Sequence, residues 1–324
     1  MEKKTCPNVG GQALIEGVMM KSENRKSIAI RKRDGSIHLT SEKVDPAKRS
    51  GLRKLPLVRG MFVLIDSMTE GVKDMNYAAE FYAEAEEDEK ESRFERFMRK
   101  LFKDKAQEVL SFFSILMAAA IAIGLFIVLP AYIIKAIKGE PGLFSSFREG
   151  LIKMSFFVIY IYLISMIGDI RRVFQYHGAE HKSIFAYERG LDLTVANVRS
   201  MPRLHPRCGT NFIFVVMAVS IFLFSFVTFE NLWMRSVLKL LFFPLVSGIS
   251  YELIRLAGKY QNPLTRFLIF PGLMLQKITT REPDDGQIEV AIASLKSALG
   301  VDVQGGDGEE PPAAKKEMKA AVSA

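Results

Sequence analysis

VLSFFSILMAAAIAIGLFIVLPAYII, residues 109–134, contains no charged side chain. A helix needs about 20 apolar residues to cross the hydrocarbon core of a bilayer, so this stretch predicts a membrane span. Three further apolar runs follow, at about 151–168, 210–229 and 237–256. Together they predict a predominantly α-helical, multi-pass membrane protein with about four transmembrane helices. Hydrophobic residues make up 49% of the 324-residue chain, and their concentration between residues 109 and 256 suits lipid better than a soluble core. Lys153 and Lys239 lie near span ends, where long basic side chains snorkel to the surface.

Lysine and arginine set the orientation. Arg96, Arg99, Lys100, Lys103 and Lys105 precede the first run. Arg171, Arg172, Lys182, Arg189, Arg199, Arg203 and Arg207 separate the second from the third. Lys259, Arg266, Lys277 and Arg281 follow the fourth, whereas the other side holds only Lys135, Lys138, Arg148 and Arg235. Both termini and the 169–209 loop are therefore expected in the cytoplasm. MEKKTC is followed by Gly10, Gly11, Gln12 and Glu16 rather than an apolar h-region, so no signal peptide is expected. Cys6 and Cys208 lie far apart and outside the apolar runs, which argues against a disulfide framework. The net charge of +8 comes without a nucleic-acid-binding pattern, and no nucleic-acid partner is predicted.

Residues 1–55 read as a cytosolic β-hairpin or sheet region. ALIEGVMM is followed by the alternating KSIAIRKRDGSIHLTSEKV, with Asp34-Gly35 as a two-residue hairpin turn. In GGQALIEGVMM the paired glycines permit close backbone approach to another element or a ligand. Residues 56–106 form an amphipathic and charged helical region. Met61, Leu64, Ile65, Met68, Val72, Met75, Ala79 and Tyr82 share one helical face. This predicts a helix packed on the sheet, with a position on the membrane surface as the alternative. EAEEDEKESRFERFMRKLFKDK then turns from acidic to basic towards the first span, as a solvated helix meeting headgroups does. The membrane domain covers 107–260. Residues 261–300 add an interfacial or re-entrant segment, LTRFLIFPGLMLQ, broken by Pro271-Gly272, and a cytosolic helix with Ile288, Ile292, Leu295 and Leu299 on one face. Residues 301–324 have the composition of a disordered tail.

HGAEHKS, residues 177–183, sets His177 and His181 about 40° apart around a helix axis. One ion can meet both. His177, Glu180 and His181 follow the H-x-x-E-H order in which two histidines hold zinc and the glutamate activates water. HPRCGTNF adds His205 and Cys208 to the same cytosolic loop, and this ligand set suits zinc or another divalent metal. Glu252, near the end of the fourth span, is a further candidate ligand, or else an i,i+3 partner of Arg255. If the second span continues as one helix, His177 stands about 13 Å beyond its end.

GGQALIEGVMM, HGAEHKS, HPRCGTNF and TTREPDD, in this order and flanking these spans, resemble the YqhQ-like family of bacterial membrane proteins, a domain of unknown function (1385). The resemblance runs to about residue 300. It implies a bacterial plasma (inner) membrane protein and carries a suggestion of metal-dependent enzyme activity. Two functions compete. The first is a metal-dependent hydrolase with His177, His181 and His205 or Cys208 as ligands and Glu180 as the catalytic group. The second is a membrane scaffold or assembly factor with a structural metal or none. A transporter ranks third. The lipid bilayer is the first expected partner, and a membrane protein or a lipid-linked molecule the second.

Overall fold

The computed structural model describes residues 9–44, 55–83, 106–136, 143–226, 232–259 and 262–301. The charged stretch after Ala83, the tail after Val301 and Cys6 lie outside them. The chain is mostly helical, with an N-terminal antiparallel sheet of four strands, and divides into two compact units.

The first unit combines residues 1–85, 161–219 and 242–324. Its sheet is a meander of β1 (Gly10–Leu14), β2 (Gly17–Lys21), β3 (Arg25–Arg31) and β4 (Ile37–Lys43), in that order. Alternation sends side chains to two faces. Leu14, Met19, Ile28 and Ile30 pack with Ala78 of helix α1 (Val58–Ala83). Ala13, Val18, Met20 and Ala29 pack on the opposite side with Tyr176 and Ala179 and with Ile288 and Leu295. These residues belong to α5 (Gly168–Glu188) and to α10 (Asp285–Ala298). Each such aliphatic side chain gains about 1.5–3 kcal/mol by leaving water. Polar bonds pin the layers: Ser294 Oγ donates to the Ser27 carbonyl at 3.1 Å and Ser22 Oγ to the Ala298 carbonyl at 2.7 Å. On the α1 side, Lys26 Nζ meets Asp74 at 2.5 Å.

Local rules explain most of these elements, and distant contacts explain one unexpected turn. Asp284 caps α10 by accepting the Gln287 N–H, and Gln287 bonds back in a capping box. ALIEGVMM is two strands, because Leu14 pairs with Gly17 and the chain reverses at Ile15-Glu16. Glu16 takes φ +50° without being glycine, which a long side chain seldom does. Arg172 holds its carboxylate in a bidentate pair, with one contact at 2.6 Å, and Tyr176 O–H donates to it at 3.1 Å. Asp34-Gly35 is a turn as expected, but within a wider loop. Gly35 adopts φ +84° and donates to the Lys32 carbonyl, and Lys32 N–H bonds Ser36.

Helix α1 packs on the sheet through Ala78 with Met75, Tyr77 and Phe81, so part of the expected apolar row faces it and part does not. Gly71 meets Gln12, Asp74 meets Lys26, and Ala78 is buried, while Ile65, Met68 and Val72 stay 50%, 64% and 60% exposed. Pro271 does not break its segment. Residues Pro263–Thr279 form one helix, α9, entered through a capping box at Asn262. The 169–209 stretch is likewise mainly helix, α5 followed by α6 (Val195–Arg199).

The second unit takes in residues 86–160 and 220–241. It contains α2 (Ala106–Ile123), a π-helical turn at Gly124–Val128, α3 (Leu129–Ala136) and most of α4 (Leu143–Ile164), with parts of α7 (Gly209–Ser225) and α8 (Leu232–Lys259). Ile221 seats against Gly150, and Phe126 meets Tyr160 edge-on at 5.2 Å. Lys153 bonds Glu149 at 2.6 Å, and Lys239 approaches the same carboxylate at 3.8 Å.

Among the described residues, Val237–Ala257 is the one single helix long and apolar enough to cross a membrane. A second arises if Phe147–Ile164 and Gly168–Glu188, bent by 100° at their break, count as one span. Leu116–Phe126 and Gly209–Ser225 are apolar but short. The bend also removes the straight extension that would have carried His177 outward from the second span.

Candidate metal centre

Helix α5 carries His177 and His181 one turn apart, with ring centroids 4.4 Å from each other. His177 Nδ1 lies 2.8 Å from the Thr279 carbonyl, and His181 Nδ1 lies 2.5 Å from that of Arg203. A carbonyl can only accept, so each Nδ1 carries a proton, and in the neutral ring this leaves the lone pair on Nε2. His177 Nε2 is 3.2 Å from Cys208 Sγ. His181 Nε2 is buried and has no hydrogen-bond partner. The donor atoms of His177, His181 and Cys208 all lie within 4.8 Å of one another and could hold a metal ion. Two imidazoles with fixed tautomers and one sulfur suit zinc chemistry, in which the second ring nitrogen is held by a carbonyl or carboxylate. Burial first, and the neighbouring His177 second, hold His181 below the ordinary histidine range. It thus stays neutral, the form that ligates metal.

Cys208 directly precedes α7, and its Sγ accepts the Thr210 N–H at 3.4 Å. Its loop is stapled to α9. His205 N–H donates to Gln276 Oε1 at 2.8 Å, and Gln276 Nε2 donates to the His205 carbonyl at 2.8 Å and to Asn211 Oδ1 at 3.0 Å.

The other expected ligands sit elsewhere. His205 Nδ1 accepts the Arg207 N–H at 3.3 Å, so its proton is on Nε2, 3.4 Å from Glu188. Both nitrogens are engaged, and the ring packs on Phe185 at 4.5 Å and beside His181 at 5.6 Å. His205 supports the donor group from behind. Glu252 forms a bidentate pair with Arg59 at 2.6 and 2.5 Å, with Arg255 a weaker electrostatic partner, and it lies outside the donor group.

Glu180 is 5% exposed and lies against Gly11 of β1, where an added Cβ would stand 2.8 Å from its Cγ. The glycine pair thus brings a strand backbone onto this carboxylate. Burial pushes the Glu180 carboxyl up to about 7, with His177 pulling the other way. Nearby, the TTREPDD segment straps α5: Arg281 N–H donates to the Phe174 carbonyl at 2.8 Å. A Cβ on Gly178 would fall 2.0 Å from the Arg281 carbonyl oxygen. Gln276, Thr279 and Arg203 are the site residues that pattern reading passed over. Only Gln276 left a signal, as a lone amide in the apolar run FPGLMLQ.

The family model described as Protein of unknown function (DUF1385) matches residues 55–301. The chain belongs to this family. A protein of Bacillus subtilis (strain 168) described as Uncharacterized protein YqhQ is 35% identical over 314 residues, covering 95% of this chain and 97% of that one. No solved structure matches.

Proposed function

We propose that this DUF1385 protein is a membrane-anchored, metal-dependent hydrolase with its centre on the cytosolic side. The observation that carries the reading is the histidine pair, whose Nδ1 protons rest on backbone carbonyls while Nε2 lone pairs gather with Cys208 Sγ. His177, His181 and Cys208 would hold the ion, and zinc fits the donor types. A bound ion of this kind supplies Lewis-acid polarisation and lowers the pKa of water. Glu180 takes and returns the proton, since burial brings its affinity close to neutral, where a general base is most effective. The Gly11 backbone shields that carboxylate on one side. Val237–Ala257 supports an anchor in the plasma membrane, and the distribution of lysine and arginine supports cytoplasmic termini.

Metal analysis of detergent-purified protein tests the reading. Roughly one equivalent of ion should accompany the wild type and Glu180→Gln, and it should be lost from His181→Ala and Cys208→Ser. Hydrolysis of a fluorogenic ester and peptide panel should fall on the order of 100-fold in Glu180→Gln. A wild type purified without chelators that holds no ion would overturn the proposal. The near-complete cover over Glu180 favours a second reading, a scaffold with a structural metal. In that case ligand variants lose abundance while Glu180→Gln behaves as wild type.

A further inference from the structure

We propose that helix α9 sets the geometry of the whole donor group and that Gln276 is its positioning residue for Cys208. The inference rests on the metal reading above. The three donors come from two separate segments, yet each is tied to the last turn of α9 or the residue that follows it. The Thr279 carbonyl accepts from His177 Nδ1. The Thr280 carbonyl accepts from Arg203 Nη1 at 3.0 Å, and the Arg203 carbonyl in turn accepts from His181 Nδ1. Gln276 takes the third line.

Gln276 has no solvent exposure. Its amide accepts from His205 N–H and donates to the His205 carbonyl and to Asn211 Oδ1. Asn211 is also buried, and its Nδ2 donates to the Pro206 carbonyl at 2.7 Å. Cys208 lies three residues from each of the stapled positions, 205 and 211. Gly272, one turn before Gln276, gives Asn211 its room, since a Cβ there would stand 2.4 Å from Asn211 Oδ1. A buried amide with every polar atom used on one loop fixes that loop far more tightly than apolar contact does. The histidine tethers do not pass through Gln276. Its removal should therefore release the sulfur ligand selectively and leave the histidines in place.

Cobalt(II) substitution of the full-length protein in detergent separates the ligands. In the wild type, the sulfur-to-cobalt charge-transfer band reports Cys208 and the visible d–d bands report the remaining coordination. In Gln276→Met, close in length and without hydrogen bonds, the charge-transfer band should be lost, the d–d bands should persist, and cobalt should bind about 10–100-fold more weakly. Gln276→Glu keeps the acceptor for His205 N–H and loses the donors, so it should fall between; it carries the test if the methionine variant does not fold. A second readout needs no metal. With Cys6→Ser as background, iodoacetamide should alkylate Cys208 of the metal-free Gln276→Met protein on the order of tenfold faster than in its parent. A folded variant with unchanged charge-transfer band and unchanged alkylation rate would overturn the inference. A wild type that yields no cobalt spectrum removes the metal reading, and the alkylation comparison then decides the positioning role by itself.

Discussion

In the sheet unit, Leu14, Val18, Met20 and Ile30 are completely buried, whereas in α8 Leu240 and Leu241 are 75% and 70% exposed. Both sets are aliphatic, and both occur in regular structure. Around the sheet, apolar groups turn inward and polar groups find named partners across layers, as in Lys26–Asp74 and Ser294–Ser27. In the second, many apolar side chains turn outward, and among the described residues Lys153 and Lys239 gather around Glu149. An outward leucine forfeits about 1.5–3 kcal/mol in water. A chain can afford a few of these, but rows of them require surroundings other than water. The contrast separates a core packed around the sheet from helices whose outer surface is apolar.

The largest effect that sharpens this contrast is expected at the buried ion pair. Asp74→Ala should cost about 3–5 kcal/mol, because Lys26 would remain buried with only the half-exposed Glu42, 3.5 Å away, to balance it. The double variant Lys26→Met with Asp74→Leu should recover most of that loss in thermal unfolding. A single variant as stable as wild type would mean that the α1 face admits water. Next comes a matched pair of truncations in detergent. Ile30→Ala should cost about 2–5 kcal/mol, and Leu241→Ala should stay within about 0.5 kcal/mol. Equal costs would break the comparison and mean that protein covers the outer face of α8.

An effect that vanishes at low pH is expected at Glu180. Its folded value of about 7 lies above the ordinary 4.5, so the folded state binds the proton more tightly than the unfolded chain. That stabilising contribution is complete below the unfolded value and is lost as pH rises through the folded one. Metal-free Glu180→Gln should match wild type near pH 4 and exceed it at pH 8 by up to about 3 kcal/mol. A difference between the two that is flat with pH would show that Glu180 is hydrated.

Periodicity and caps made several elements legible. Asp284, Ile288 and Leu295 announced α10 because cap chemistry and a 3.6-residue repeat are local properties. The hairpin at Ile15-Glu16 was hidden, since its left-handed residue is a glutamate held by Arg172 and Tyr176, more than 150 positions away. In α1 the period was clear, but Met75 of the apolar row joins the sheet core beside Gly71, Asp74 and Ala78, while Ile65, Met68 and Val72 stay exposed. At the donor group, residue type pointed to His177, His181 and Cys208. Type could not reject His205 or Glu252, because Arg207 N–H and Arg59 claim them through tertiary contacts. The carbonyls of Thr279 and Arg203 carry no side-chain signature at all.

The bonds from Ser27 to Ser294 and from Ser22 to Ala298 join residues 267 and 276 positions apart. On a ribosome adding roughly 5–20 residues per second, the sheet waits on the order of 13–53 seconds for the helix that covers its second face. In that interval the apolar helices are being made, and Val18, Met20 and Ala29 have no α10 to meet. Synthesis thus leaves a half-finished sheet with one adhesive face, and the last described helix to emerge is the one that closes it.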